Sequence, residues 1–278
     1  MRVAVSNIAW ERPEDEPVAA LLRHFALDAI DLVPGKYFVD LQAASDGEID
    51  VVRHWWLDRG ISITGMQALL FGTTGLNMFG PPSSRQAMLQ HLRAICRIAG
   101  RLNATRLVFG SPRNRDRSGL SDSETADLAV SFFRELGDVA ASHGVLICLE
   151  PNPTRYGANF MCTSSETAGV VIAVDHPAIR MQLDTGSLVI NAERPDEVLR
   201  DFAPLISHIH ASEPDLVPLG DGGTDHGVMA SFISKFLPDH VVSIEMVATK
   251  SEPHLLSIER AVRVALNHYR GADEGIAS

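Results

Sequence analysis

Glu150, Asp184, His210 and Glu245 are the residues of this chain whose types and spacing could share a cation. Each closes a short apolar run: L-I-C-L-E, M-Q-L-D, S-H-I-H and V-S-I-E. A strand sends alternate side chains to opposite faces, and the four runs sort by that rule. Ile147, Leu149, Met181, Leu183, Ile209, Val242 and Ile244 share one parity and are all apolar. Glu150, Gln182 with Asp184, His208 with His210, and Ser243 with Glu245 share the other. Three carboxylates and an imidazole gathered in a dry cavity repel one another and protonate without a counter-charge. A divalent cation supplies one. Three hard oxygens and a nitrogen suit Mn²⁺, Mg²⁺, Co²⁺ or Zn²⁺ and not a thiolate-selected metal.

These side chains meet if their strands are neighbours in one closed barrel. Successive members lie about 30 residues apart, the length of one βα unit. Strands are expected at Val3–Ser6, Ala29–Val33, Ile61–Ala68, Thr105–Phe109, Val145–Glu150, Ile179–Leu183, Ile206–Ala211 and Val241–Met246. Helical periodicity fills the intervals at Glu14–Phe25, Glu48–Arg59, Ser83–Ala99, Ser123–Ser142, Ser164–Ala173, Pro195–Phe202, Gly227–Phe236 and Pro253–Tyr269. Ser83 or Ser84 is expected to cap the third helix and Gly100 to stop it; Ser121 or Asp122 should cap the fourth. Eight such units without a composition break predict an α/β fold, a single (β/α)₈ TIM barrel over residues 1–270, with 271–278 as a frayed tail. An open doubly wound sheet would want a glycine-rich turn after the first strand, and S-N-I-A-W-E is not one. The carboxyl ends of barrel strands form the rim where such folds keep their chemistry, so the four ionisable groups should surround one point there.

Composition excludes some partners. The chain has 278 residues, of which 45% are hydrophobic and 21% charged, enough for a sizeable core. A net charge of -11 argues against a nucleic-acid binder, which needs a basic face. Cys96, Cys148 and Cys162 form no C-x-x-C pair, a usage that suits a reducing cytoplasm. No signal-peptide run and no apolar run of membrane-spanning length is legible, so a cytoplasmic protein without membrane contact is expected.

Taken together, L-E-P-N-P, Q-L-D-T-G, H-I-H-A-S-E and V-S-I-E-M make nearly the whole chain resemble the xylose isomerase-like barrels. That family holds sugar isomerases and epimerases, a keto-inositol dehydratase and endonuclease IV. The resemblance to its ketose 3-epimerase branch implies that Glu150, Asp184, His210 and Glu245 bind one divalent metal, and that Glu150 and Glu245 also shuttle the proton. Ser187 stands where that branch carries a histidine, and Ala211–Asp225 lacks its arginine. Gln67 and Gly110–Ser111 stand where endonuclease IV carries extra zinc-binding histidines.

Around these ligands, Asn7, Gln67, Arg115, Asn152, Arg155, Tyr156 and Glu213 lie at or just beyond strand ends and are candidate substrate contacts. Arg115 belongs to the basic run S-P-R-N-R-D-R, whose guanidinium groups suit a phosphate or carboxylate. His208 and Gln182 share the ligand parity one layer deeper and are expected to hydrogen-bond behind the ligands. Trp10 and Phe71 are candidates for an apolar wall, and Lys36 with Tyr37 for a solvated loop. The expected activity is isomerisation or epimerisation of a sugar or sugar derivative, by proton abstraction next to a carbonyl through an enediolate. A lyase or dehydratase acting on a keto-sugar or keto-inositol would use the same metal, and a non-catalytic metal-binding barrel would keep it without turnover. The expected partner is a small sugar-type molecule, with a homo-oligomer as an open option.

Overall fold

The computed structural model describes residues 1–270; the expected frayed tail lies outside the described residues. Eight parallel strands close into a barrel in chain order. They are β1 (Arg2–Ser6), β2 (Ala29–Leu32), β3 (Ser62–Met66), β4 (Arg106–Phe109), β5 (Leu146–Leu149), β6 (Ile179–Asp184), β7 (Ile206–Ser212) and β8 (Val241–Glu245), with β1 pairing β8 from Arg2↔Val241 to Val5↔Ile244. Around them run α1 (Asp15–His24), α2 (Asp46–Leu57), α3 (Pro82–Leu102), α4 (Asp122–Ser142), α5 (Ser164–Val174), α6 (Thr185–Ile190), α7 (Pro195–Phe202), α8 (His226–Phe236) and α9 (His254–Tyr269). No helix among the described residues is long and apolar enough to cross a membrane.

The parity rule decides what each strand face does. Ile147, Leu149, Met181, Leu183, Ile209, Val242 and Ile244 are buried in the continuous apolar core. The other parity meets across the lumen: Asp31 on β2 approaches His208 on β7, and Gln67 after β3 reaches Glu245 on β8, although neither pair of strands is adjacent. Only an inward direction allows such contacts in a closed barrel.

Local chemistry sets the helix ends. Capping boxes start α2 at Ser45 with Glu48 and α4 at Ser121 with Glu124. Two expectations for α3 are corrected. It begins at Pro82 behind Pro81, because the Ser84 hydroxyl is used on the preceding loop, where it donates to Gly75 O and accepts from Asn77 N. It also runs through Gly100 and ends at Asn103, whose φ of 64° makes the left-handed stop. Gly100 is small for another reason: a Cβ there would lie 2.6 Å from the His143 carbonyl at the end of α4. The short α6 was not expected from periodicity; Asp184 itself caps it, accepting from Ser187 N at 2.6 Å.

Candidate metal centre

Glu150, Asp184, His210 and Glu245 each present a ligand-type atom, and all four atoms lie within 4.8 Å of one another. His210 Nδ1 stands 3.5 Å from Glu150 Oε1 and 3.2 Å from Glu245 Oε2. The imidazole is sealed while the glutamates keep a thin opening to the mouth, at 14% and 11% side-chain exposure. Each glutamate has an amide donor of its own. Gln67 Nε2 donates to Glu245 Oε1 at 2.7 Å, and Asn152 Nδ2 to Glu150 Oε2 at 2.9 Å. Asp184 Oδ2 accepts from Ser212 Oγ at 2.7 Å while Oδ1 caps α6. The strand end after β4 is cut back to admit Glu150: a Cβ on Gly110 would fall 1.9 Å from Glu150 Oε2.

Without a cation this group is strained electrostatically. Burial, then the Glu245 and Glu150 carboxylates, push Asp184 up to about 7. Burial opposes charge on His210, yet Glu245 and Glu150 hold its imidazole well above the ordinary histidine value. Burial would raise Glu245, but His210 and the Gln67 amide draw it below the usual carboxylate range. Three hard oxygen donors and one imidazole nitrogen therefore fit a divalent ion. Binding must displace the protons held by Asp184 and His210, so affinity rises with pH and declines as pH falls through about 7. Mn²⁺ titration calorimetry should show at least a tenfold weaker affinity at about pH 6 than at about pH 8; a flat profile would mean that neither proton is displaced.

The remaining expected site residues divide into two groups. Near the mouth, Arg155 pairs with Asp215, and Tyr156 Oη accepts from Asp215 N at 2.8 Å, tying the loop after β5 to the loop after β7. Others are turned into the scaffold. Asn7 is buried and its Oδ1 accepts from Val33 N at 2.7 Å. Glu213 accepts from Gly220 N, Thr224 N and His226 Nε2, contacts that outweigh burial and hold its carboxyl down at about 2. Arg115 is fully buried, not solvated: Nη1 donates to the Glu150 carbonyl at 2.7 Å, while Nε and Nη2 have no partner. Ser187 Oγ donates to Pro151 O at 3.2 Å. Trp10 is wholly buried, with Nε1 on Asp15 Oδ1, and so packs the scaffold; Phe71 is 86% exposed in the loop after β3. Lys36 is not solvated either, since Nζ donates to the Asn7 and Trp10 carbonyls.

Gln182 and His208 lie one layer below these four residues, with the Gln182 amide 2.9 Å from His208 Nδ1. Sequence reasoning missed Asp31, whose Oδ2 is 2.8 Å from His208 Nε2. A signal existed in A-I-D-L: a carboxylate in the middle of an apolar strand needs an interior partner.

A profile of the xylose isomerase-like TIM barrel family matches residues 19–270. The chain belongs to that family. No curated protein sequence matches it. Among solved structures it is similar to a D-psicose 3-epimerase determined in the presence of D-fructose, at 18% identity and a TM-score of 0.80 over 98% of this chain and 100% of that one. It is also similar to the 3-keto-D-glucoside 4-epimerase YcjR from E. coli, at 16% identity and a TM-score of 0.76 over 94% of this chain and 98% of that one. A third is the IolI protein with a binding zinc atom, at 16% identity and a TM-score of 0.75 over 97% and 98%. At these identities the likeness is one of fold.

Proposed function

We propose that this chain is a divalent-metal-dependent isomerase or epimerase of a sugar or sugar derivative, moving a proton on a carbon beside a carbonyl. The observation that carries the reading is the pair Glu150 and Glu245, which approach one imidazole from β5 and β8, each with an amide donor at its back. Moving a proton between the two faces of an enediolate needs a base on each face. Glu150, Asp184, His210 and Glu245 would hold the ion. When bound, it supplies polarisation of the carbonyl oxygen, which acidifies the neighbouring C–H.

One glutamate takes the proton and the other returns one to the opposite face. Gln67 and Asn152 keep both carboxylates turned into the lumen and are sited to touch substrate hydroxyls. Arg155 and Tyr156 are the outer contacts at the mouth. Arg115 acts through the backbone of Glu150, which it holds at the end of β5. The epimerases among the structural neighbours favour a sugar and favour return of the proton over the loss of water that a dehydratase would catalyse. The neighbour with a zinc atom agrees with a metal cofactor. Elemental analysis tests the assignment: about one divalent ion per wild-type chain is expected, and almost none in Asp184→Ala. Equal metal content in the two proteins would overturn it.

A further inference from the structure

Beneath the rim, the lumen holds a carboxylate that the proton transfer does not use. Asp31, the third residue of β2, is fully buried. Its Oδ1 accepts from Thr64 Oγ1 at 3.1 Å. Its Oδ2 stands 2.8 Å from His208 Nε2 and 3.9 Å from His210 Nε2, on the far side of the barrel. None of these three atoms makes a hydrogen bond of good geometry, although Asp31 Oδ2 and His208 Nε2 stand within reach of each other. The neighbouring strand is thinned to admit the group: a Cβ on Gly65 would lie 2.6 Å from Asp31 Oδ1 and 2.9 Å from the Arg106 carbonyl. Placing a carboxylate in a dry lumen is costly, and an apolar residue would pack there at no such cost.

The chemistry of ligating histidines supplies a role. Such a histidine gives one ring nitrogen to the ion and donates its other N–H to a carboxylate, a backbone carbonyl or water. His210 turns Nδ1 toward Glu150 and Glu245, so Nε2 carries the hydrogen and faces into the barrel. Asp31 Oδ2 is the carboxylate oxygen on that side. Gln182 is satisfied only when its amide is turned so that the nitrogen faces His208 Nδ1, donating at 2.9 Å, and the oxygen accepts from His210 N at 3.1 Å. His208 then carries its own hydrogen on Nε2, toward the same Asp31 oxygen.

We infer that Asp31 is the positioning residue of the metal centre, receiving His210 Nε2–H and so fixing Nδ1 as the nitrogen offered to the ion, while His208 braces the same oxygen. A ring shift of about 1 Å brings the His210 pair into hydrogen-bond range. Asp31 touches neither ion nor substrate in this arrangement; it sets the orientation and basicity of the one nitrogen ligand. The inference rests on the rim reading of the preceding section.

The test uses the full-length chain and three readouts: Mn²⁺ affinity, melting temperature of the metal-free protein, and the imidazole ¹⁵N–¹H spectrum of the Zn²⁺-loaded protein. Asp31→Asn keeps the volume and removes the charge. It should bind Mn²⁺ roughly 10- to 100-fold more weakly, and the slowly exchanging His210 Nε2–H signal of the wild type should be lost or shifted. His208→Gln, which leaves Asp31 in place, should weaken binding less. A purely structural Asp31 would lower the metal-free melting temperature and leave the affinity of the folded variant unchanged, and that result overturns the inference. Two ions per wild-type chain, one of them lost in Asp31→Asn, also overturns it, because Asp31 and His208 would then be ligands. Asp184→Ala separates the two levels: if it keeps its metal the rim reading fails, whereas metal loss there with an unchanged Asp31→Asn refutes the inference alone.

Discussion

Glu150→Gln and Glu245→Gln should each lower kcat by about 10²–10⁴-fold while the protein stays folded and keeps part of its metal affinity. Glutamine retains a carbonyl oxygen for the ion and the volume of the side chain, but it cannot take or return a proton. The two residues face the same imidazole atom, at 3.5 and 3.2 Å, so each is placed to be ligand and base together. The amide partners make the roles separable. Gln67 holds Glu245 through Oε1 and Asn152 holds Glu150 through Oε2. In both cases a second oxygen is left to face His210. Steady-state kinetics with metal-saturated variants reads the effect. Near-normal turnover in either variant, with its metal bound, would mean that one base suffices and that the proton leaves and returns on one face.

Gly110→Ala should damage the site nearly as much without touching any ligand. The backbone at Gly110 is not in the left-handed region, so alanine is tolerated there conformationally. The added Cβ would nevertheless fall 1.9 Å from Glu150 Oε2, and the flexible glutamate has to yield. That moves the Glu150 carboxylate by an ångström or more and detaches it from Asn152. Displacements of that size cost about 10²-fold in rate. The variant should melt close to the wild type, bind metal more weakly, and lose activity by that order. Unchanged kinetics would show that Glu150 is not held where Gly110 makes room for it.

The convergence of Glu150, Asp184, His210 and Glu245 at the rim was legible because burial imposes parity. A strand packed under helices needs an apolar outer face, so Leu149, Leu183, Ile209 and Ile244 left only one direction for the ionisable residues beside them. Their common depth followed from each standing at its strand end. The barrel followed from the regular recurrence of strand and helix signals. What could not be read was where the loops fold. Arg115 sits in a basic run that reads as a rim contact for an anionic group, yet the turn after β4 tucks it under the end of β5. Glu213 follows a strand end as Glu150 does, but Gly220–Thr224 wraps back over it and takes both of its oxygens. Trp10 and Lys36 were misplaced for the same reason, since their contacts are made by segments distant in sequence. Asp31 was passed over because its partners, His208 and His210, stand on β7, five strands away in chain order. The α6 turn has too few residues to carry a helical period and depends on the Asp184 cap.

The proposed central step is proton transfer at a carbon next to a carbonyl, and reaction in D₂O reads that step directly. A panel of ketoses and keto-sugars, incubated with the metal-loaded protein and followed by NMR, should yield one substrate that takes up deuterium at the carbon beside its carbonyl, with inversion or carbonyl migration and no net loss of water. Uptake should vanish on chelation and in Glu150→Gln and Glu245→Gln. Release of water with a dehydrated product, or turnover without any deuterium uptake in the metal-loaded wild type, would contradict it.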